Sequence, residues 1–405
     1  MEKTNHIVYL RDGTGFPQLE RESVALVLTS PPYPMIEMWD SGFGEQDSEI
    51  EKALEAVDGR TAFECMHALL DAVWAECERV MIPGGFLCVN IGDATRTLGD
   101  GFRLYPNHAR VIEGCGRLGL ESLPAVIWRK QTNAPNKFMG SGMLPAGAYV
   151  TLEHEYVLVF RKGGKRSFDA AGKQRRRRSA FFWEERNEWF SDLWWFKGTR
   201  QELGDGAQRA RSGAFPFELA YRLILMYSLQ GDLVLDPFLG TGTTTAAGIA
   251  CARSSVGYER DAGLKAAIAQ TAEEAVALGN TRAAARVAAH NEFLAQRARD
   301  GKPAKHANAA HGFGVMTTQE RDLELPITTD LRELEVADGF GADGFGADGF
   351  GLEATHERLG ANENSVQSVS SSGRLEFEWS ENRSPQGSTG DSKAECGQLD
   401  LLDER

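Results

Sequence analysis

The sequence predicts a doubly wound α/β fold, in which helices cover both faces of a mostly parallel sheet. Two observations support this prediction. Short apolar runs rich in β-branched residues alternate along the chain with segments that carry apolar residues at helical spacing. These runs also lack the apolar-polar alternation of a half-exposed strand, so we expect strands that are buried on both faces.

The N-terminal part of the chain supplies the first of these elements. Residues 5–10 and 23–29 are predicted strands, and the apolar spacing of residues 61–80 predicts a helix. A Pro-Gly-Gly turn at 83–85 separates that helix from the predicted strand 86–91. The alternation continues with a helix around 106–117 and with strands at 125–128 and 156–160.

The pattern resumes after an interruption. Between residues 163 and 205, charged residues are interleaved with aromatic residues. The elements predicted after this segment are a helix at 215–229, a strand at 233–235, a helix at 243–252, a strand ending near Tyr258 and an Ala-rich helix at 262–298.

The composition of the 405 residues, 42% of them hydrophobic, is that of a globular protein. The chain has no secretory signal and no long uncharged apolar run, so we expect a cytoplasmic protein with no membrane partner. Its six cysteines are scattered without a Cys-x-x-Cys pair, a pattern that predicts neither a disulfide framework nor a metal site.

The net charge of −14 argues against a nucleic-acid partner only until its distribution is considered. Residues 129–222 carry 18 lysines and arginines against 10 acidic residues, whereas residues 301–405 carry 9 against 20. The acidic excess therefore lies mainly in the C-terminal segment, and the middle of the chain is basic enough to contact phosphates.

The segment 301–405 has the composition of a disordered tail. The repeat Ala-Asp-Gly-Phe-Gly begins at 337, 342 and 347, and a stretch rich in Ser, Glu, Asn and Gly follows it. Such a composition buries too little apolar surface to offset the entropy of ordering the chain. We predict an acidic, mostly disordered tail, which is either a dispensable extension or a segment that binds a partner or screens charge.

The strongest local motif is Ser30-Pro31-Pro32-Tyr33, directly after a predicted buried strand. Prolines lack a backbone N–H, so this segment presents hydrogen-bond acceptors in a rigid frame. Acceptors such as the Ser30 hydroxyl and the Pro31 carbonyl could take both hydrogens of an exocyclic amine and localise its lone pair, while Tyr33 stacks on an extruded base. Taken alone, the same four residues also fit a simple turn.

A second motif joins a predicted strand to a helix through a glycine loop. The residues from Asp236 to Thr243 include Gly240 and Gly242, which allow close approach of a ligand to the backbone. The lysine of a phosphate loop and the full Gly-x-Gly-x-x-Gly spacing are both absent. Glu259 ends the next predicted strand, where a carboxylate can bind both hydroxyls of a ribose.

The order and content of these motifs resemble the β-class amino-methyltransferases of bacterial restriction-modification systems. The matching segments are Ser30–Tyr33, Glu76–Gly85, Phe215–Leu219 and 236–244. The resemblance implies that S-adenosyl-L-methionine is the cofactor. The residues that it and the strand pattern assign to the cofactor are Asp12, Phe215, Pro216, Asp236, Pro237, Phe238, Gly240, Gly242, Thr243 and Glu259.

The same resemblance implies a Rossmann-like class I methyltransferase sheet in circularly permuted order, with an inserted target-recognition region. The expected divisions are a catalytic half at 1–162, the insertion at 163–210, a cofactor-binding half at 211–300 and the tail at 301–405.

The insertion and the loop before it supply candidate contacts to duplex DNA. These are Lys130, Lys137, Arg175, Arg176, Arg177 and Arg178. In a second interpretation the four consecutive arginines form a solvated loop, and Trp194 and Trp195 belong to the core.

The first residue of the catalytic motif selects the expected target. Within such families Ser-Pro-Pro-Tyr resembles enzymes that methylate cytosine N4, whereas enzymes for adenine N6 usually carry Asp or Asn in place of Ser30. No cysteine follows a proline, which disfavours methylation of cytosine C5 through a covalent intermediate. Alternatives are an adenine-N6 enzyme, an enzyme for RNA or a protein glutamine, and an inactive DNA-binding protein. A separately acting restriction endonuclease is an expected partner.

Three acidic or amide residues after predicted strands carry two interpretations each. Asp12 is placed either to contact the cofactor adenine or to form a simple turn. Asn90 and Asp93 either border the target-base pocket or cap the helix that follows.

Overall fold

A computed structural model of the chain describes residues 2–99, 101–130, 139–140, 143–198, 215–334 and 349–360. The predicted DNA contact Lys137 lies outside these ranges. Within them, no helix combines the length and the apolar character that crossing a membrane requires.

The described residues form sixteen strands. They are β1 (Glu2–Tyr9), β2 (Val24–Thr29), β3 (Met81–Ile91), β4 (Ala94–Leu98), β5 (Gly101–Tyr105), β6 (Leu120–Arg129), β7 (Met139–Gly140), β8 (Ala148–Tyr149), β9 (His154–Lys162), β10 (Leu193–Trp195), β11 (Leu233–Asp236), β12 (Ser254–Tyr258), β13 (His306–Ala307), β14 (Gly314–Val315), β15 (Pro326–Glu333) and β16 (Phe350–Arg358).

Nine α-helices accompany the strands in the described ranges. They are α1 (Asp40–Gly44), α2 (Ser48–Glu55), α3 (Gly59–Val80), α4 (Asn107–Arg117), α5 (Ala170–Arg178), α6 (Trp183–Trp189), α7 (Phe217–Tyr227), α8 (Thr243–Ala250) and α9 (Lys265–Arg299). Short 3-10 turns lie at Glu37–Trp39, Ala262–Leu264 and Thr318–Glu320.

Ten strands form one mixed sheet in the order β10-β6-β9-β3-β2-β11-β12-β1-β16-β15. The five central strands, from β3 to β1 in this order, are parallel. Because β9 is antiparallel to both β3 and β6, the strands β6 and β10 run in the same direction as the centre. All these parallel strands have their C-terminal ends on the same side of the sheet, which we call the carboxyl edge, and β9 begins there.

Strand β2 illustrates how helices cover both faces of the sheet. All six of its residues are buried. Val27 packs with Trp74 of α3 on one face, whereas Leu26 and Leu28 pack with Leu223 of α7 on the other. Burying each such side chain contributes roughly 1.5–3 kcal/mol, which favours apolar residues from Val24 to Leu28, and the one polar residue of the strand, Thr29, is hydrogen-bonded.

The structure confirms the predicted α/β alternation, with small shifts at the ends of elements. One local difference concerns the Pro-Gly-Gly segment at 83–85, which lies within β3 instead of forming a turn before it. The pairing of β2 with β3 shifts register across this segment, and Gly84 has a positive φ of 78°. Glycine tolerates this angle, so the chain bulges and continues as a strand.

The prediction of a disordered tail over 301–405 is wrong for the part of it that the structure describes. Strand β16 pairs antiparallel with β1 from Phe350 to His356, and β15 pairs antiparallel with β16. Phe350 and Gly351 come from the third copy of the five-residue repeat. Averaging composition over the whole segment hid a short strand whose alternate residues, including Leu352 and Ala354, pack against α8 and α9.

A buried polar network joins this C-terminal hairpin to the centre of the sheet. Thr4 Oγ1 lies 2.7 Å from His356 Nε2 and 2.9 Å from His6 Nε2. The other ring nitrogens lie 3.3 Å from the Thr328 hydroxyl and 2.9 Å from the Ser255 hydroxyl, respectively. Burial lowers the pKa of His6 to about 3 and that of His356 to about 4.

We expect these histidines to make the fold sensitive to acid. Their folded-state pKa values lie below the unfolded value of 6.5, so their stabilising contribution is present above pH 6.5 and is lost as the pH falls toward 4. The variant His356→Gln should lose about 2 kcal/mol less stability than the wild type between pH 7.5 and pH 5. Urea unfolding at both pH values measures this difference, and equal losses in the two proteins would contradict it.

Candidate active site

The two sequence motifs meet at the carboxyl edge, where β2 and β11 end side by side. Thr29, the last residue of β2, donates from its hydroxyl to Asp236 Oδ1 at a distance of 2.6 Å. Strand order reverses at this point, because β3 continues the sheet beyond β2 and β12 continues it beyond β11. Such a reversal leaves a crevice at the ends of parallel strands, which is where open α/β sheets bind ligands.

The side chain of Asp236 links the two motifs by hydrogen bonds. The buried carboxylate accepts hydrogen bonds from Thr29, from the Thr244 hydroxyl at 2.6 Å and from the Phe238 backbone N–H at 3.0 Å. Burial raises the pKa of Asp236 to about 6, although these three donors oppose that change. Asp236 therefore holds both ends of the glycine loop, through Phe238 and Thr244.

The glycine loop needs its two glycines for conformational reasons. Gly240 and Gly242 have φ values of 58° and 93°, and Gly242 is the N-cap of α8, which begins at Thr243. Glu259, after β12, accepts hydrogen bonds from the backbone N–H groups of Gly240 and Asp261, both at 2.8 Å. A carboxylate offers about four acceptor positions, which is the chemistry that binding of two ribose hydroxyls requires.

The loop after β1 closes against the glycine loop. A Cβ atom on Gly13 would lie 2.3 Å from the Pro237 carbonyl oxygen, so the two backbones touch. Asp12 accepts a hydrogen bond from the Thr14 backbone N–H at 2.7 Å, which is the predicted turn. The structure thus supports the turn interpretation of Asp12 and also places the residue beside the cofactor motif.

The remaining predicted cofactor residues precede α7. Phe215 and Pro216 are buried, Pro216 is the N-cap of α7, and Phe215 packs into the apolar cluster beneath β2. The described residues place both side chains within the core on the face covered by α7 and α8.

The catalytic motif forms a compact polar cluster with β3 and β9. Tyr33 Oη lies 3.1 Å from Ser30 Oγ, 3.0 Å from Glu155 Oε2 and 2.9 Å from Asn90 Nδ2. Asn90 Nδ2 also donates to Glu155 Oε2 at 2.7 Å. Lys130 forms an ion pair with the second oxygen of the Glu155 carboxylate. Five polar side chains from four separate segments therefore converge beside the motif.

Buried polar groups hold the motif from the side of α4. Asn107 donates from its amide to the carbonyl oxygens of Pro34 and Gly92, at 3.1 Å and 3.0 Å. Its own amide oxygen lies 3.0 Å from His67 Nε2 of α3. Asp93 accepts from the backbone N–H of His108 at 3.1 Å, as in the capping interpretation.

The Asn90 side chain contacts Tyr33 of the predicted catalytic motif, so Asn90 stays a predicted neighbour of the target-base pocket. The structure therefore separates two residues that the sequence treated alike.

The four consecutive arginines are not brought to this site. They lie on α5, where Arg175 pairs with Asp232 and Arg178 with Glu2. Asp232 directly precedes β11, and Glu2 is the first residue of β1, so α5 lies at the opposite edge of the sheet. An eight-residue strand spans roughly 25 Å, which separates Arg178 from the carboxyl edge.

Two residues in or beside the cluster were not predicted from the sequence. Glu155 is the second residue of the apolar strand β9, and Asn107 is the first residue of α4. A signal for Glu155 was available, because a carboxylate at the start of a strand buried on both faces needs a partner. Nothing in the sequence indicated which partner that would be.

Comparison with known proteins identifies the family of the chain. The family N6_N4_Mtase, described as DNA methylase, matches residues 24–270, which is more than half of the chain. The chain belongs to this DNA methylase family. Its fold is the Rossmann-like sheet of class I methyltransferases in permuted order, since the catalytic strand β2 precedes the cofactor strand β11 in the sequence.

Individual relatives cover most of the methylase. The Type II methyltransferase M.MthZI of Methanothermobacter thermautotrophicus is 48% identical over 326 residues, which are 80% of this chain and 90% of the relative. M.MjaI of Methanocaldococcus jannaschii is 46% identical over 273 residues, 65% of this chain and 89% of the relative. A crystal structure of TTHA0409 from Thermus thermophilus, complexed with S-adenosyl-L-methionine, is 30% identical, with a TM-score of 0.47, and covers 65% of this chain and 95% of that one.

S-adenosyl-L-methionine is the cofactor of this methylase family, and the carboxyl edge fits it. Gly240 has open space where a Cβ atom would lie, so its backbone is accessible to a ligand. The Glu259 carboxylate stands beside it. The ribose of the cofactor would thus meet an accessible glycine loop and a carboxylate that can accept from its hydroxyls.

We expect Gly13→Ala to weaken cofactor binding at least tenfold. The added methyl group would meet the Pro237 carbonyl oxygen at 2.3 Å, which forces the loop after β1 away from the glycine loop. Gly15→Ala is the matched control, because open space surrounds that position. Calorimetric titration with S-adenosyl-L-methionine measures both, and equal affinities for the two variants would refute the close contact.

Proposed function

We propose that the methylase transfers a methyl group to the N4 amine of cytosine in duplex DNA, as a β-class enzyme of a type II restriction-modification system. The observation that carries this proposal is Ser30 at the head of the catalytic motif, with its hydroxyl held at the carboxyl edge by Tyr33. The two Type II methyltransferases described above support the restriction-modification role. A cytoplasmic location and a separate cognate endonuclease follow from that role.

The geometry supports methylation of an amine without a covalent enzyme intermediate. An exocyclic amine is a weak nucleophile, because its lone pair is delocalised into the ring. Acceptance of its hydrogens by Ser30 Oγ and the Pro31 carbonyl would localise that lone pair on nitrogen. The described cysteines are buried or partly buried within the fold, and none follows the catalytic prolines. Catalysis then comes chiefly from orientation of the reacting nitrogen.

Tyr33 would bind the extruded base in this proposal. Its hydroxyl is held by three side chains, which fixes the outer end of the ring, and Gly92 lies close to one ring edge. A base that leaves the duplex loses its stacking partners, and an aromatic ring held in this way replaces one of them. When it is bound, S-adenosyl-L-methionine supplies an electrophilic methyl group. Gly240, Gly242 and Glu259 would hold it.

Lys130 and Lys137 remain predicted DNA contacts. Lys130 follows β6 and so lies at the carboxyl edge, on the same side as the catalytic motif. The arginines of α5 lie at the other edge, where Arg175 pairs with Asp232 and Arg178 with Glu2, and their distance from the catalytic motif leaves them out of the proposed DNA surface.

The identity of the product tests the target base. The purified methylase is incubated with S-adenosyl-L-methionine and unmethylated genomic DNA, the DNA is digested to nucleosides, and the product is identified by mass spectrometry. N4-methylcytosine is the expected product. N6-methyladenine would refute cytosine as the target, and a protein that binds DNA and cofactor without transferring a methyl group would refute the enzymatic function.

We expect Ser30→Ala to lower the rate of methyl transfer about 100-fold, because a preorganised polar contact to the reacting group is lost. Cofactor affinity should stay unchanged, since the Ser30 hydroxyl contacts Tyr33 and the glycine loop is shaped by other residues. Ser23→Ala is the matched control, because Ser23 precedes the opposite end of β2 and its hydroxyl bonds to the Glu20 carbonyl. Full activity of the Ser30 variant in single-turnover assays would contradict the catalytic role.

A further inference from the structure

The directions of the hydrogen bonds beside Ser30 follow from what each group can donate. A carboxylate only accepts, so Tyr33 gives its single hydroxyl proton to Glu155 Oε2 at 3.0 Å. Asn90 Nδ2 donates to the same carboxylate at 2.7 Å and to Tyr33 Oη at 2.9 Å. Because Tyr33 has no second proton, Ser30 must be the donor in its 3.1 Å bond with Tyr33. Both lone pairs of Ser30 Oγ therefore remain available as acceptors.

We propose that Glu155 is the terminal proton acceptor of the methyl transfer, reached from the substrate amine through the hydroxyls of Ser30 and Tyr33. This inference rests on the proposed methylation of an exocyclic amine, and it applies to cytosine and adenine alike. Glu155 acts through two other side chains, so it is a positioning residue that sets the direction of the chain.

The proton balance of the reaction requires such an acceptor. As the amine lone pair forms the N–C bond, the C–S bond of the methyl donor breaks and its electron pair stays on sulfur, which leaves a neutral thioether. The nitrogen then carries one proton too many. That proton passes to Ser30 Oγ, the Ser30 proton passes to Tyr33 Oη, and the Tyr33 proton passes to Glu155. Both hydroxyls are restored, and the carboxylic acid holds the proton until it is lost to solvent.

The surroundings keep the chain aligned in this direction. Burial and the charge of Glu155 raise the pKa of Tyr33 well above its usual range, so the phenol keeps its proton and remains a donor. Lys130 pairs with the oxygen of Glu155 that Tyr33 does not use. Gly92 permits the close approach, because a Cβ atom there would lie 3.1 Å from the Tyr33 ring and 3.2 Å from Glu155 Cγ.

The low polarity of the site strengthens the chain. Glu155 is 9% exposed and Asn90 is fully buried, so water competes little for these bonds. Positive charge that develops on the amine nitrogen in the transition state would be stabilised by a buried carboxylate three hydrogen bonds away. General-base catalysis of this kind contributes about 10²-fold to 10⁴-fold in rate.

Substitutions of Glu155 and Tyr33 in the full-length methylase test the proposal. Glu155→Gln keeps an oxygen that accepts from Tyr33 but cannot take a proton, and Tyr33→Phe keeps the ring but breaks the chain. Single-turnover methylation of genomic DNA, dissociation constants for DNA and S-adenosyl-L-methionine, and melting temperature are measured for each. Glu153→Gln is the matched control, because Glu153 lies two residues away and pairs with Arg129 at 2.8 Å.

The expected result is a loss of rate without a loss of binding. Glu155→Gln and Tyr33→Phe should each lower the rate of methyl transfer about 100-fold or more, with both dissociation constants within about threefold of wild type. The double variant should be no slower than the slower single variant, since both interrupt one chain. Glu155→Asp should recover most of the rate, and Glu153→Gln should match the wild type.

Three outcomes would overturn the proposal. One is wild-type transfer by Glu155→Gln. Another is multiplication of the two rate losses in the double variant, which indicates independent roles. The third is equal slowing by Glu155→Gln and Glu155→Asp together with a lowered melting temperature, which indicates a purely structural role. Failure of the proposed function is distinguishable, because the wild-type protein itself would then yield no methylated amine.

Discussion

The hydrogen bond between Thr29 and Asp236 is the contact on which the active site depends. It joins the last residue of β2 to the last residue of β11, two strands that are adjacent in the sheet but more than 200 residues apart in the chain. The same carboxylate shapes the glycine loop through Thr244 and Phe238. One buried acidic group thus links the strand that leads to the proposed amine acceptors with the glycine loop proposed to hold the methyl donor.

The C-terminal hairpin completes the sheet on the cofactor side. Without β16, strand β1 would be an edge strand with unpaired backbone groups, a feature that promotes aggregation. The histidine and threonine network makes this closure specific, because a register slip of one residue would turn His356 away from Thr4. The loop that carries Asp12 and Gly13 follows β1, so the pairing of β1 with β16 also stabilises the strand that leads into the predicted cofactor site.

The charged residues show that the position of a group in the sheet matters more than local net charge. Arg175 to Arg178 form the most basic run of the chain, yet they lie on α5 at the edge opposite the active site, where Arg175 pairs with Asp232 and Arg178 with Glu2. Lys130 has a single basic neighbour in the sequence, Arg129, but lies beside the predicted catalytic motif. Proximity in an α/β sheet follows from which end of a strand a residue occupies, and charge counts along a chain carry no such information.

The α/β alternation and the two motifs could be predicted from the sequence, because they are encoded by local spacing, by prolines and by glycines, whereas the permuted order was implied by the family resemblance of those motifs. Tertiary structure alone decided that Asn90 and Glu155 contact Tyr33, since these residues come from strands whose pairing is not local. It also decided that β15 and β16 are ordered, because a short strand of modest apolarity is stable only where a sheet edge supplies its hydrogen-bond partners.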